Sequence, residues 1–207
     1  MDITTVTSYR PARTRADLAL ARPSADALLA SFKIWNTATV GGNVCQAFAA
    51  GAMIALLSTL DATALVWTPD GGERVIAVAD LVIDNAATSL APGEVVRALD
   101  IPAHALRSRV GLQKIALAEL GRSGAVVTAR VDPDGATVFV VTAAVRRPRV
   151  LRFGRLPGAG ELRDAVASAP DFYTDPLGSA DWRRGVSVVL AERLRTALSR
   201  DLQAGAA

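Results

Sequence analysis

Between Ala49 and Leu60 the chain reads AAGAMIALLSTL, a run without charge that is apolar nearly all round. Such a run predicts a helix buried on most of its faces rather than an amphipathic one. The pattern then shortens to that of strands. Ala62 to Thr68 and Glu73 to Val78 form two β-like runs, and Pro69-Asp70-Gly71-Gly72 between them supplies the backbone angles of a hairpin turn. Ala79-Asp80-Leu81 reads as a short loop or turn, Asn85 to Gly93 as a loop, and Glu94 to Ile101 as a third strand before Pro102. Past a boundary expected around Pro102 to Ser108, three more strands follow in series: Val110 to Ala118, Gly124 to Val131 and Ala136 to Val145. Asp132-Pro133-Asp134-Gly135 joins the last two as a second hairpin turn. The tail turns helical, with Trp182, Val186, Val189, Leu190, Leu194 and Ala197 at the spacing of one helix face, predicted to pack on the sheet. The lead before Ser31 reads as irregular or weakly helical, interrupted at Pro23. One compact α+β unit over about residues 31 to 103 is expected, and strands first and helices after beyond it predict a second α+β domain.

Composition narrows the chemistry. At 207 residues the chain can bury a sizeable core as one large domain or two small ones. Its 23 basic and 20 acidic residues leave a formal charge of +3, too small to argue for nucleic acid. The densest cationic run, Arg146, Arg147, Arg149, Arg152 and Arg155, has only Phe153 interleaved, which is too little for a base-stacking platform. It reads as a solvated face or a rim that pairs with carboxylates. Cys45 is the only cysteine and His104 the only histidine, so neither a disulfide framework nor an ordinary zinc site can form. Cys45 is expected as a small buried residue of a first helical turn. Ser123 has no base signature near it, which argues against a hydrolase. Ala47 to Leu60 is too short to span a membrane, and the N-terminus lacks the apolar core of a secretory signal. A soluble cytoplasmic protein is the expectation.

One stretch carries more. Ser31 to Ala47 reads SFKIWNTATVGGNVCQA, in which Thr39-Val40-Gly41-Gly42-Asn43 runs straight into a helix-like segment. Paired glycines allow a sharp turn and a close backbone approach, and amides at a helix N-terminus can donate to anionic oxygens. The plain alternative is a tight strand-to-helix turn. The pattern N-x-A-T-V-G-G-N-V-C, followed by Leu60-Asp61-Ala62 and by Thr88-Ser89-Leu90-Ala91-Pro92-Gly93-Glu94, resembles the FAD-binding medium subunit of the molybdenum hydroxylases. That family includes xanthine dehydrogenase and aerobic carbon monoxide dehydrogenase.

The resemblance implies a partial FAD-binding α/β subdomain followed by a C-terminal three-stranded antiparallel sheet with helices. It divides the chain into a lead over 1–30, a second FAD-binding subdomain over 31–105 and a C-terminal domain over 106–207. It assigns Thr39, Val40, Gly41, Gly42 and Asn43 to the ribityl and pyrophosphate side of FAD. Gln113-Lys114-Ile115 resembles the strand that presents a basic residue near the flavin, although an outward lysine on an edge strand explains Lys114 equally well. No catalytic base, nucleophile or metal ligand is implied, because the redox chemistry belongs to the isoalloxazine. The molybdenum cofactor and the iron-sulfur clusters would sit in a large and a small partner subunit. Two departures stand out. Phe48 and Ala52 replace a hydroxyl and an acid that help hold the cofactor in many members, and the chain passes from Ala21-Arg22-Pro23 to Ala27-Leu28-Leu29 without a first flavin subdomain or its glycine loop. The implied function is electron transfer from iron-sulfur clusters through FAD to an acceptor. The alternative is a truncated, flavin-free scaffold or docking subunit.

Overall fold

A computed structural model describes residues 36–118 and 121–204, with Leu20, Ala21, Ser24, Ala25 and Ala27 before them. Most of the lead, expected to be irregular or weakly helical, and Ser31 to Trp35 lie outside the described residues. From Val40 on, the described chain forms helix α1 over Val40–Gln46 and helix α2 over Ala52–Thr59. A three-stranded antiparallel sheet follows, ordered β2-β1-β5, from β1 (Thr63–Trp67), β2 (Glu73–Ala77) and β5 (Val95–Asp100). Between β2 and β5 lie the short helix α3 (Val78–Leu81) and a small ladder of β3 (Val82–Asp84) with β4 (Ala87–Thr88). The second sheet is the meander β6 (Arg109–Ala116), β7 (Ser123–Val131), β8 (Thr137–Thr142) and β9 (Arg149–Phe153). Helices α4 (Ala159–Ala167) and α5 (Ala180–Ala204) complete the chain.

The α+β architecture is the expected one, and the second sheet is one strand wider than expected. The additional strand, β9, lies in the stretch read as a cationic run. Arg149, Arg152 and the apolar residues between them pair with β8, Phe139 opposite Leu151 and Val138 opposite Arg152. Two charges in five residues obscured the strand because one of them, Arg152, turns to the same sheet face as buried Val138. The loop expected over Asn85 to Gly93 likewise contains β4, whose two residues are too few to leave a periodicity.

Alternation explains how the units join. In β7, Ala125, Val127, Ala129 and Val131 face α4 and α5, where Phe139, Leu162, Leu190 and Leu194 close the core. Its other face carries Val126, Thr128 and Arg130, and α2 lies there, with Ala55 packed near Val126. Helix α2 also gives Ile54 and Leu57 to the core of the first sheet, with Val66, Val78 and Leu81. It therefore sits between two sheets, which is why its sequence is apolar all round. The buried face of α5 keeps Leu190 and Leu194 as expected, with Val186 packed against the core and the Trp182 ring against Gly124 of β7. Arg183, Ser187, Leu190, Ala191, Leu194 and Leu198 point inward, whereas Val189 is about half exposed and Ala197 lies outside. Apolarity chose Val189 and Ala197, but the sheet takes Arg183, whose guanidinium donates to the backbone carbonyls of Gly124 and Ala143.

Candidate functional site

The glycine pair lies inside α1 rather than before it. Thr39 is the N-cap: its backbone is extended and its hydroxyl accepts from the Gly42 amide at 3.0 Å. This is ordinary capping chemistry, because a helix leaves its first amides without intrahelical partners. Gly41 is buried and Gly42 is exposed. A Cβ added at Gly42 would stand 2.8 Å from Thr39 Oγ1, so a side chain here would have to displace the capping hydroxyl. Cys45 is exposed on α1, not buried as expected, because the inner face of this short helix is taken by Gly41 and Val44.

Beyond α1 the chain turns back through Ala47–Gly51 into α2. Ala47 closes α1 in a left-handed conformation, φ 51°, which costs a residue with a Cβ on the order of 1 kcal/mol. Hydrogen bonds from three segments fix this connection. Asn43 Oδ1 accepts from the Met53 amide at 2.9 Å, and Asn85 Oδ1 accepts from the Ala49 amide at 2.9 Å. The Ala49 carbonyl accepts from the Ala143 amide at 2.7 Å, and the Ala47 carbonyl from the Ala86 amide at 2.9 Å. Phe48 remains 46 % exposed at the crest of the turn, and Ala52 is buried at the start of α2.

The structure thus brings Thr39, Val40, Gly41, Gly42 and Asn43 together in one helical turn, with the Thr39 hydroxyl and the Asn43 carbonyl engaged within the protein. Lys114 is elsewhere. It is exposed on β6, an edge strand, opposite Val126 of β7 and on the sheet face that looks toward α2. Ser123, the discarded nucleophile, is buried and donates to the Ala27 carbonyl at 3.0 Å.

Sequence reasoning missed the charged groups that lock the units together. Arg130 of β7 is 2 % exposed; it donates to the Thr59 carbonyl at 2.9 Å and to Asp61 at 2.6 Å, and it pairs with Asp132 at 2.8 Å. Asp61 also receives Arg152 of β9 at 2.6 and 3.0 Å. Burial pushes the Asp61 carboxyl up, and the guanidiniums of Arg152 and Arg130 outweigh it, leaving the group below its ordinary value. Asp61 was visible only as part of Leu60-Asp61-Ala62; its partners lie some seventy and ninety residues on, a separation no local pattern reports. The stretch ending at Glu94 has a comparable explanation. Glu94 receives Arg74 of β2 at 2.7 Å through both Nε and Nη2, and accepts from the Ala91 amide at 2.7 Å. These donors, the arginine foremost, hold its carboxyl down to about 2.

No group of three or more His, Cys, Asp or Glu able to hold a metal ion occurs among the described residues, and no described helix is long and apolar enough to cross a membrane. Residues 3–104 match the family described as the FAD binding domain in molybdopterin dehydrogenase. A comparison with curated proteins gives no match. Among solved structures, quinoline 2-oxidoreductase from Pseudomonas putida 86 is similar over 86 % of this chain and 66 % of its own, with a TM-score of 0.71 and 20 % identity. Carbon monoxide dehydrogenase from Oligotropha carboxidovorans is similar over 87 % and 68 %, with a TM-score of 0.73 and 19 % identity. That of Hydrogenophaga pseudoflava gives 89 % and 72 %, a TM-score of 0.69 and 17 % identity. At these identities the likeness is one of fold, and the chain spans about two thirds of the length of the solved chains it resembles.

Proposed function

Because the chain belongs, through residues 3–104, to the family of the FAD binding domain in molybdopterin dehydrogenase, we propose that it is the flavin-site subunit of a molybdenum hydroxylase-type complex. The observation that carries the reading is the glycine turn: Thr39 to Asn43 form a capped helical start with Gly42 exposed and free of a Cβ, a backbone cradle for the ribityl and pyrophosphate side of FAD. The fit is to part of the cofactor. The Thr39 hydroxyl and the Asn43 carbonyl are engaged in the fold, and Phe48 and Ala52 offer no hydrogen-bonding side chain. The turn therefore holds FAD through backbone groups, and weakly. Residues 31–105 serve as this flavin unit and 106–207 as a second domain, from which Lys114 supplies positive charge on the face toward α2.

When bound, FAD supplies the redox chemistry, accepting electrons and passing them on. The protein binds, orients and excludes water. The complex holds the molybdenum cofactor in a large partner subunit and iron-sulfur clusters in a small one, in the cytoplasm. Co-purification tests this: a tagged chain expressed with both partners brings down molybdenum and iron in fixed ratio to itself. A chain that emerges free of both metals contradicts the proposal. A second reading, a flavin-free scaffold, is favoured by the engagement of Thr39 and Asn43 within the fold. Under that reading the same complex forms but shows no flavin absorbance.

A further inference from the structure

The loop Ala47–Gly51 is held from the far end of the chain. Arg183, in the first turns of α5, is fully buried. Its Nη1 donates to the carbonyls of Gly124 at 2.8 Å and Ala143 at 2.5 Å, its Nη2 to Asp175 at 2.5 Å and its Nε to Gly178 at 3.3 Å. The Tyr173 ring lies against the guanidinium, 4.2 Å from its centroid, and the Tyr173 hydroxyl donates to the same Ala143 carbonyl at 2.9 Å. Ala143 stands just past β8 with φ 63°, a left-handed backbone that alanine does not adopt without cause. Two donors on its carbonyl supply the cause. The twist aims its amide at the Ala49 carbonyl, 2.7 Å away, in the middle of the loop that leaves the glycine turn.

We infer that Arg183 is a positioning residue for the Ala47–Gly51 loop that follows the glycine turn, acting through Ala143 on Ala49, so that the geometry of the flavin-site turn is set partly by the C-terminal helix. This inference rests on the flavin reading above. Arginine suits the role because its planar fork can reach several acceptors at once while its charge is balanced by Asp175. A lysine would bring a point charge and could satisfy only part of this set.

The test uses the full chain, with FAD as the probe. Binding is followed by quenching of flavin fluorescence, and the amides of Ala49 and Ala143 by hydrogen exchange against Val127 of the central strand. Arg183→Met is expected to weaken FAD binding roughly tenfold or more and to speed exchange at Ala49 and Ala143 relative to Val127. Arg183→Lys falls between. Tyr173→Phe, which keeps the guanidinium and removes one donor from Ala143, is the milder variant should Arg183→Met not fold, and is expected to weaken binding about twofold to fivefold. Arg195→Met, on the same helix and paired with Glu192 one turn away, leaves binding unchanged. A merely structural arginine would accelerate exchange at Val127 in step with Ala143 and leave the affinity of the folded fraction intact; that result overturns the inference. Wild-type chain that gives no saturable quenching overturns the flavin reading instead, and with it this role, whatever the exchange rates show.

Discussion

Replacing Asp61 by alanine removes the carboxylate that ties the loop after α2 to two strands of the second sheet. The two bonds from Arg152 are worth little, since that side chain is 61 % exposed and screened by solvent. The bond from Arg130 matters more, because a guanidinium that is 2 % exposed cannot turn to water instead. Asp132 remains beside Arg130, so the charge is not left alone and the full cost of breaking a buried pair, about 3–5 kcal/mol, is not reached. We expect a loss of about 2–3 kcal/mol in urea-induced unfolding. Asp61→Asn should cost less, because asparagine keeps an acceptor and tolerates the left-handed backbone here, φ 52°. The pH dependence has a definite sign. The folded Asp61 carboxyl titrates below its unfolded counterpart, so its contribution is complete above the ordinary aspartate value of about 3.9 and is lost as pH falls through the lower folded value. The Asn variant lacks that dependence. A double-mutant cycle with Arg130→Met decides the matter: the account requires Asp61→Ala to cost much less once Arg130 is gone. An equal cost in both backgrounds, or an Asp61→Ala protein as stable as wild type, would refute it.

Three further outcomes follow from single positions. Ala86 is exposed with φ 60°, so Ala86→Gly should relieve backbone strain and raise the unfolding free energy in urea by about 0.5–1 kcal/mol, where an ordinary Ala→Gly change lowers it. Gly178→Ala should lose about 2–3 kcal/mol, because its φ is 149° and the new Cβ would meet the Trp182 ring at 2.5 Å; a neutral result would show that the Trp182 ring packs elsewhere. The stability difference between wild type and Glu94→Gln should be constant above the ordinary glutamate value and shrink as pH falls toward about 2, and a difference independent of pH would contradict the Arg74 pairing.

Much of the fold was legible because local physics and tertiary structure agree. Gly71 and Gly135 adopt positive φ in the two hairpin turns that Pro-Asp-Gly-Gly and Asp-Pro-Asp-Gly announce, and the strands on either side follow. The all-round apolarity of α2 was a true report of a helix between two sheets. Failures arose where a charged side chain is held by groups far away in the sequence. Arg152 disguised β9, and Arg183 on the inner face of α5 went unnoticed, because each owes its place to acceptors supplied by distant segments. The site was legible in part. Thr39 and the glycine pair mark the helix start, but the bonds from Met53 to Asn43 and from Ala143 to Ala49 join residues too far apart for a local pattern to show.

The most direct measurement is the flavin content of the purified chain, read by absorbance as isolated and again after added FAD and desalting. One glycine turn acting through backbone groups, with side-chain partners lost at about 1 kcal/mol each, predicts a colourless preparation that binds added FAD saturably at equilibrium and releases it on desalting. Near one flavin per chain retained through desalting would contradict the account, as would added FAD that does not bind at all or binds equally well to Gly42→Val.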